Sequence, residues 1–205
     1  HYPLRRQRQM CIRDRYMVTV ALVIGALIGI PLGILLVVTR KNGVWPNVII
    51  HQILNPVINI LRSIPFIILL IAIVPFTKLL VGTSIGTTAA IVPLTVYVAP
   101  YIARLVENSL LEVDDGIIEA AKAMGASPFQ IICHFLLPEA LGSLVLAITT
   151  AIIGLIGSTA MAGAVGGGGI GDLALVYGYQ RFDTLVIIIT VIVLVIIAVS
   201  YTHLR

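Results

Sequence analysis

The sequence predicts an all-α integral membrane protein with five transmembrane helices. Of its 205 residues, 59% are hydrophobic and 11% are charged, and the mean hydropathy is +1.10. A soluble domain averages about 45–50% apolar and about 25% charged residues. The composition therefore excludes a soluble globular enzyme, a disordered chain and a disulfide-rich secreted module. The apolar residues also fall in runs long enough for a bilayer helix, which needs about 20 residues. These runs do not alternate at period two, which excludes a transmembrane barrel.

Along the chain, span 1 is read at 17–39, a stretch without charge. Gly25, Gly29 and Gly33 stand four residues apart in it, a small-residue stripe that lets helices approach closely in lipid, within the chain or between chains. Span 2 is read at 57–76, with Arg62 near its first end, and span 3 at 87–103. Span 4 is read at 140–161, followed by a glycine-rich turn, and span 5 at 184–200, cut short. Pro31, Pro65 and Pro93 are expected to interrupt helices, which neighbouring helices tolerate in a bundle. No internal repeat is found.

The formal net charge is +4, a balance that ordinarily suggests nucleic acid or an anionic membrane surface. Six of the 13 Lys and Arg residues, however, lie in 1–16 and 199–205. The segments RRQRQMCIRDR and VSYTHLR there resemble read-through from sequencing adaptors, so both ends are expected to be non-native flanks around a transmembrane domain at 17–198. The other readings of the first segment are a genuine basic arm and a secretory signal. The apolar run is long for a signal, and no small-residue cleavage site follows it. Without the flanks the chain is nearly neutral, and no nucleic-acid partner is expected.

Five spans place the two termini on opposite sides. Arg40, Lys41, Arg62, Arg104 and Lys122 then fall on one side, and Lys78 and Arg181 on the other. The positive-inside rule makes the first side cytoplasmic. The N-terminus is then outside, and the connection 105–137 is inside.

Little catalytic chemistry is expected. There is no G-x-x-x-x-G-K-[ST] phosphate loop. Spans 1, 3, 4 and 5 carry no ionisable group, which argues against a proton relay. Cys11 and Cys133 suggest no disulfide, and the four histidines are scattered. No metal site and no cofactor is expected. In span 4, Met161 beside Ser158 and Thr159 is expected to constrict a pathway; a gap-filling core methionine is the alternative.

The informative segment is the connection, LVENSLLEVDDGIIEAAKAMGASPFQIICHFLL. Asp114 or Asp115 can cap a short helix through Ala123, with Gly125 at its end. Ser127-Pro128-Phe129-Gln130 then restarts a helix through a capping box, and Leu137-Pro138 leads into span 4. The first helix is thin at Ala120, Ala121 and Ala123, and Ile117, Ile118 and Met124 give it apolar contact area. Such a helix suits a groove on a cytoplasmic partner, or it lies flat on the bilayer surface.

Glu119-Ala120-Ala121, three residues, Gly125, nine residues, Phe135, one residue and Leu137-Pro138 resemble the EAA loop of ABC-importer permeases of the binding-protein-dependent type. The usual aliphatic residue is Phe135 here. Within that family the chain looks most like the methionine-uptake permeases, through GIPLGILLVVTR (Gly29–Arg40), NILRSIPFIILL (Asn59–Leu70), VGTSIG (Val81–Gly86), AAIVPLTV (Ala89–Val96), ENSLLEV (Glu107–Val113) and AMAGAVGGGGIG (Ala160–Gly171). A basic tail after span 5, usual in the family, is missing. The resemblance implies five spans with a cytoplasmic EAA loop, in a bacterial inner membrane. It implies a homodimer, two cytoplasmic ATPase subunits and an external substrate-binding lipoprotein. Glu119, Ala120, Ala121 and Gly125, with Leu137 and Pro138, would form the ATPase-coupling segment. The chain itself would be no enzyme. The implied cargo is methionine, its L-form and also the D-isomer. The rivals are the same machine carrying another amino acid or a peptide, an ATP-independent secondary carrier, and a purely structural membrane subunit.

Overall fold

The computed structural model describes residues 2–163, 166–169, 171, 180 and 184–202. Among these residues every regular element is helical: α1 (Tyr2–Val38), α2 (Val48–Ser63), α3 (Phe66–Ala72), α4 (Val74–Val81), α5 (Thr87–Leu111), α6 (Asp115–Ala123), α7 (Pro128–Gln130), a π-helical segment (Ile131–Leu136), α8 (Leu137–Glu139), α9 (Leu141–Ala162) and α10 (Thr184–Thr202). Gln9–Val38, Thr87–Leu111 and Leu141–Ala162 are long and apolar enough to cross a membrane, and α2 with α3 makes a fourth span if the pair is counted as one. In α10 the apolar stretch Thr184–Ile196 is shorter. Arg181, read as an external charge, lies outside the described residues.

The segment read as span 2 at 57–76 is not one helix. Its helix begins earlier, at Val48, and stops at Ser63. Pro65 follows with φ −55° and ψ 136°, outside the helical region. Its ring offers no N–H and pushes Ile64 away from helical geometry. A second break falls at Ile73, with ψ near 1°, before α4 carries Pro75 in its first turn, where a missing N–H costs nothing. Pro31 and Pro93 do not interrupt: α1 and α5 run through both. Span 3, read as ending at Ala103, continues to Leu111, so Arg104 and Glu107 lie on a helix and not in the connection. The flank read at 1–16 is helical from Tyr2 and continuous with span 1.

The chain divides into two compact units, one of His1–Ile24, Ile64–Val98 and Ala151–Arg205, the other of Gly25–Ser63 and Ala99–Thr150. In the first unit, Phe66 of α3 meets Tyr97 of α5 edge to face at 5.3 Å. Thr87 Oγ1 donates to the Gly167 carbonyl at 3.3 Å, tying the start of α5 to the glycine turn.

In the second unit, Leu36 of α1, Ile58 of α2 and Ala103 of α5 form a buried cluster, with Leu32 and Leu54 against it. Gly25, Gly29 and Gly33 are buried on one face of α1. A Cβ at Gly29 would stand 2.6 Å from the Ala99 carbonyl and 2.9 Å from Ile102 Cβ. At Gly33 it would stand 2.6 Å from the Ala103 carbonyl and 2.8 Å from Val106 Cβ. The contact repeats every four residues on both helices, so α1 and α5 run side by side in the same direction, backbone against backbone.

Candidate functional site

The second unit carries the connection between α5 and α9, and its sequence builds a stiff turn. Asp114 has extended backbone at φ −61°, ψ 128°, and its carboxylate accepts from the Gly116 N–H at 2.7 Å. That satisfies one of the donors left open at a helix start. Asp115 in the first turn and Lys122 in the last complement the dipole of α6. The far end closes in a Schellman motif: Gly125 N–H donates to the Lys122 carbonyl at 3.0 Å, and Ala126 N–H to the Ala121 carbonyl at 3.1 Å. Gly125 has φ +79°, a conformation that costs any residue with a Cβ.

Ser127 then opens α7 with a reciprocal box: its hydroxyl accepts from Gln130 N–H at 3.4 Å, and Gln130 Oε1 accepts from Ser127 N–H at 2.8 Å. From Ile131 the helix widens, and Leu137 N–H donates to the Ile132 carbonyl, five residues back. Pro138 explains the widening. It has no N–H to give, and its ring would collide with the His134 carbonyl in a regular α-helix. Ser143 Oγ donates to Glu112 Oε2 at 2.5 Å, clasping the two ends of the connection.

These bonds decide which side chains are presented. Ala121 is fully buried, whereas Glu119, Ala120, Lys122, Ala123, Met124 and Gly125 are exposed. Leu137 is half-buried and Pro138 exposed. Beside α6 lies an open cavity of about 440 Å³ whose walls carry Arg40, Asp115, Ile118, Glu119 and Lys122. The presented face is narrow and mixed in charge.

The three residues read as a pathway group do not share one environment. Met161 is 50% exposed on α9, whereas Ser158 and Thr159 are buried. Their hydroxyls are committed to their own helix, Ser158 to the Gly154 carbonyl at 3.0 Å and Thr159 to the Ile156 carbonyl at 2.7 Å.

One polar group was missed in the sequence. Arg104 of α5 pairs with Glu107, and it also reaches Asn55 and Asn59 of α2. Asn55, Asn59 and Arg62, polar at helical spacing in an apolar stretch, were the signal for it.

The described helices include three long and apolar enough to cross a membrane, and the connection between α5 and α9 holds out a rigid, capped turn. The chain belongs to the binding-protein-dependent transport system inner membrane components, whose family model matches residues 21–204. It is 50% identical over 182 residues to a protein of Vibrio cholerae serotype O1 named a probable D-methionine transport system permease protein, covering 89% of this chain and 81% of that protein. The D-methionine transport system permease protein of Salmonella typhi is 57% identical over 139 residues, 68% of this chain and 64% of that one. Among solved structures, a chain of the MetNI methionine ABC transporter in an inward-facing conformation superposes with a TM-score of 0.96 at 45% identity, over 99% of this chain and 94% of that one.

Proposed function

We propose that this chain is the permease subunit of an ATP-driven importer carrying methionine, in its L-form and as the D-isomer, across the inner membrane. The observation that carries the reading is the capped helix α6, with Glu119, Ala120 and Gly125 presented outward. It stands in a chain half identical to proteins named for D-methionine transport. The working unit is a homodimer with two ATPase subunits and an external substrate-binding lipoprotein. The N-terminus is outside and α6 is cytoplasmic, an orientation supported by Arg40, Lys41, Arg62, Arg104 and Lys122 falling on the α6 side.

In this reading α6 sits in a groove of the ATPase, and Glu119, Ala120, Ala121 and Gly125, with Leu137 and Pro138, form the coupling segment. The cap at Asp114, the Schellman motif at Gly125 and the clasp at Glu112 make the turn stiff, so that it can pass on a displacement instead of absorbing it. Closure of the ATPases then rocks the permease pair between inward-open and outward-open states. ATP drives this because it binds the two states with different affinity. Met161, exposed on α9, constricts the pathway.

The test is uptake by the complex reconstituted in vesicles. Gly125→Asp is expected to abolish uptake and weaken ATPase assembly; intact uptake would return α6 to a purely structural role. Transport by the permease alone, without ATPase, would refute the importer reading in favour of a secondary carrier.

A further inference from the structure

Helices α2 and α5 meet through a polar seam that the docking turn does not include. Asn55, Asn59 and Arg62 share one face of α2, and Tyr101 and Arg104 share one face of α5, by their three- and four-residue spacing. The Arg104 guanidinium donates through Nη2 to Asn55 Oδ1 at 2.6 Å and to Asn59 Oδ1 at 2.7 Å. Through Nη1 it donates to Glu107 Oε2 at 2.5 Å, on its own helix. The reach is reciprocal: Arg62 of α2 holds its guanidinium 6.0 Å from the centre of the Tyr101 ring on α5.

Beside this seam, Leu54, Ile58 and Ala103 already pack the same two helices together through apolar contact. The charges are therefore not needed to make the helices touch, and they carry a cost. Arg104 and Glu107 are only 15% and 7% exposed, and Arg104 Nε is buried without a partner among the described residues. What the seam adds is direction. Apolar helix faces can slide by small shear steps. A planar guanidinium bound to two amides one turn apart fixes both the height and the rotation of α2 against α5. Arg104 also sits two turns before the end of α5 at Leu111, and Asp114 begins α6 just beyond.

We propose that Arg104 is a positioning residue that locks α2 to α5, so that a displacement of α6 is delivered to α2 as one rigid-body movement. The proposal rests on the reading of α6 as the ATPase-docking helix. It extends the coupling path from the exposed turn to α2, a helix outside that turn.

The test uses the complete complex in vesicles. The double variant Asn55→Leu/Asn59→Leu is expected to hydrolyse ATP at the unaltered rate while substrate moved per ATP falls at least about fivefold, the low end of an allosteric coupling. Asn59→Asp, which keeps an acceptor for Arg104, is expected to retain coupling. Unchanged transport per ATP in the assembled double variant would overturn the proposal. Should that variant fail to assemble, the intact seam is read directly. Spin labels at Ile53→Cys on α2 and Leu111→Cys at the end of α5, both exposed positions, are introduced with Cys11→Ser and Cys133→Ser. Their separation is expected to stay constant between nucleotide-free and ATP-trapped complexes. A change approaching ~5 Å, one helical turn, would show sliding and overturn it. Gly125→Asp run in parallel separates the two readings. Lost uptake there with normal coupling in the double variant rejects the seam alone, and intact uptake there rejects the docking helix itself.

Discussion

Gly33 shows how much one absent methyl group decides. With any side chain there, α1 would have to move off α5, because the nearest obstacle is the Ala103 carbonyl, part of a helix backbone that cannot swing aside. Overpacking of this kind costs about 1–3 kcal/mol. Gly33→Leu is therefore expected to lower the thermal midpoint of the purified protein. Gly142→Ala, where nothing lies within 4 Å of the added atom, is expected to leave it unchanged. Equal midpoints would refute the close-contact account. The four-residue stripe was legible in the sequence, but its partner was not. Only the fold brings Ala99 and Ala103 opposite Gly29 and Gly33, since a spacing tells which residues share a face and not what faces them. Met161 belongs to the same scale. If it narrows the pathway, Met161→Ala raises substrate leak or basal ATPase activity; no change in either, measured in vesicles, assigns it to gap filling.

Among the elements, α6 and α7 were the most readable, because their signals are local. Asp114, Gly125 and Ser127 act on donors and acceptors within a few residues, and such bonds form whatever the rest of the chain does. Loss of the cap in Asp114→Ala is expected to cost about 1 kcal/mol. Hydrogen exchange over Gly116–Ala123 should accelerate accordingly; unchanged protection there would show that tertiary contacts alone hold α6. The widened turn at Ile131–Leu136 was not foreseen. Pro138 was read as a boundary, yet the chain stays helical past it by stretching the ladder. The broken span shows the reverse. Hydropathy joins 57–76 into one run because it counts apolar atoms; the break at Pro65 was legible only from its missing N–H, and the second, at Ile73, was not foreseen. The same blindness ended span 3 at Ala103: a charge at Arg104 reads as the edge of the membrane, while the structure satisfies that charge with Glu107, Asn55 and Asn59 and lets α5 continue.

At the scale of the whole molecule, the permease reading makes transport strictly dependent on its partners. Vesicles holding the chain alone are expected to show no uptake, and uptake should appear when ATPase, ATP and binding protein are supplied. The sequence by itself determined the membrane class, the helical architecture and the stiff turn, because these depend on total apolar content and on short-range bonding. The proposed orientation rests on nothing more than the placement of seven basic residues. Only the tertiary structure decided which helices touch, that the second apolar run breaks again at Ile73, that Ala121 turns inward while Glu119 and Gly125 turn out, and that Arg104 ties α2 to α5. Those facts depend on residues distant in the chain meeting in space. An Asn at 55 and an Arg at 104 carry no mark of each other until the fold sets them 2.6 Å apart.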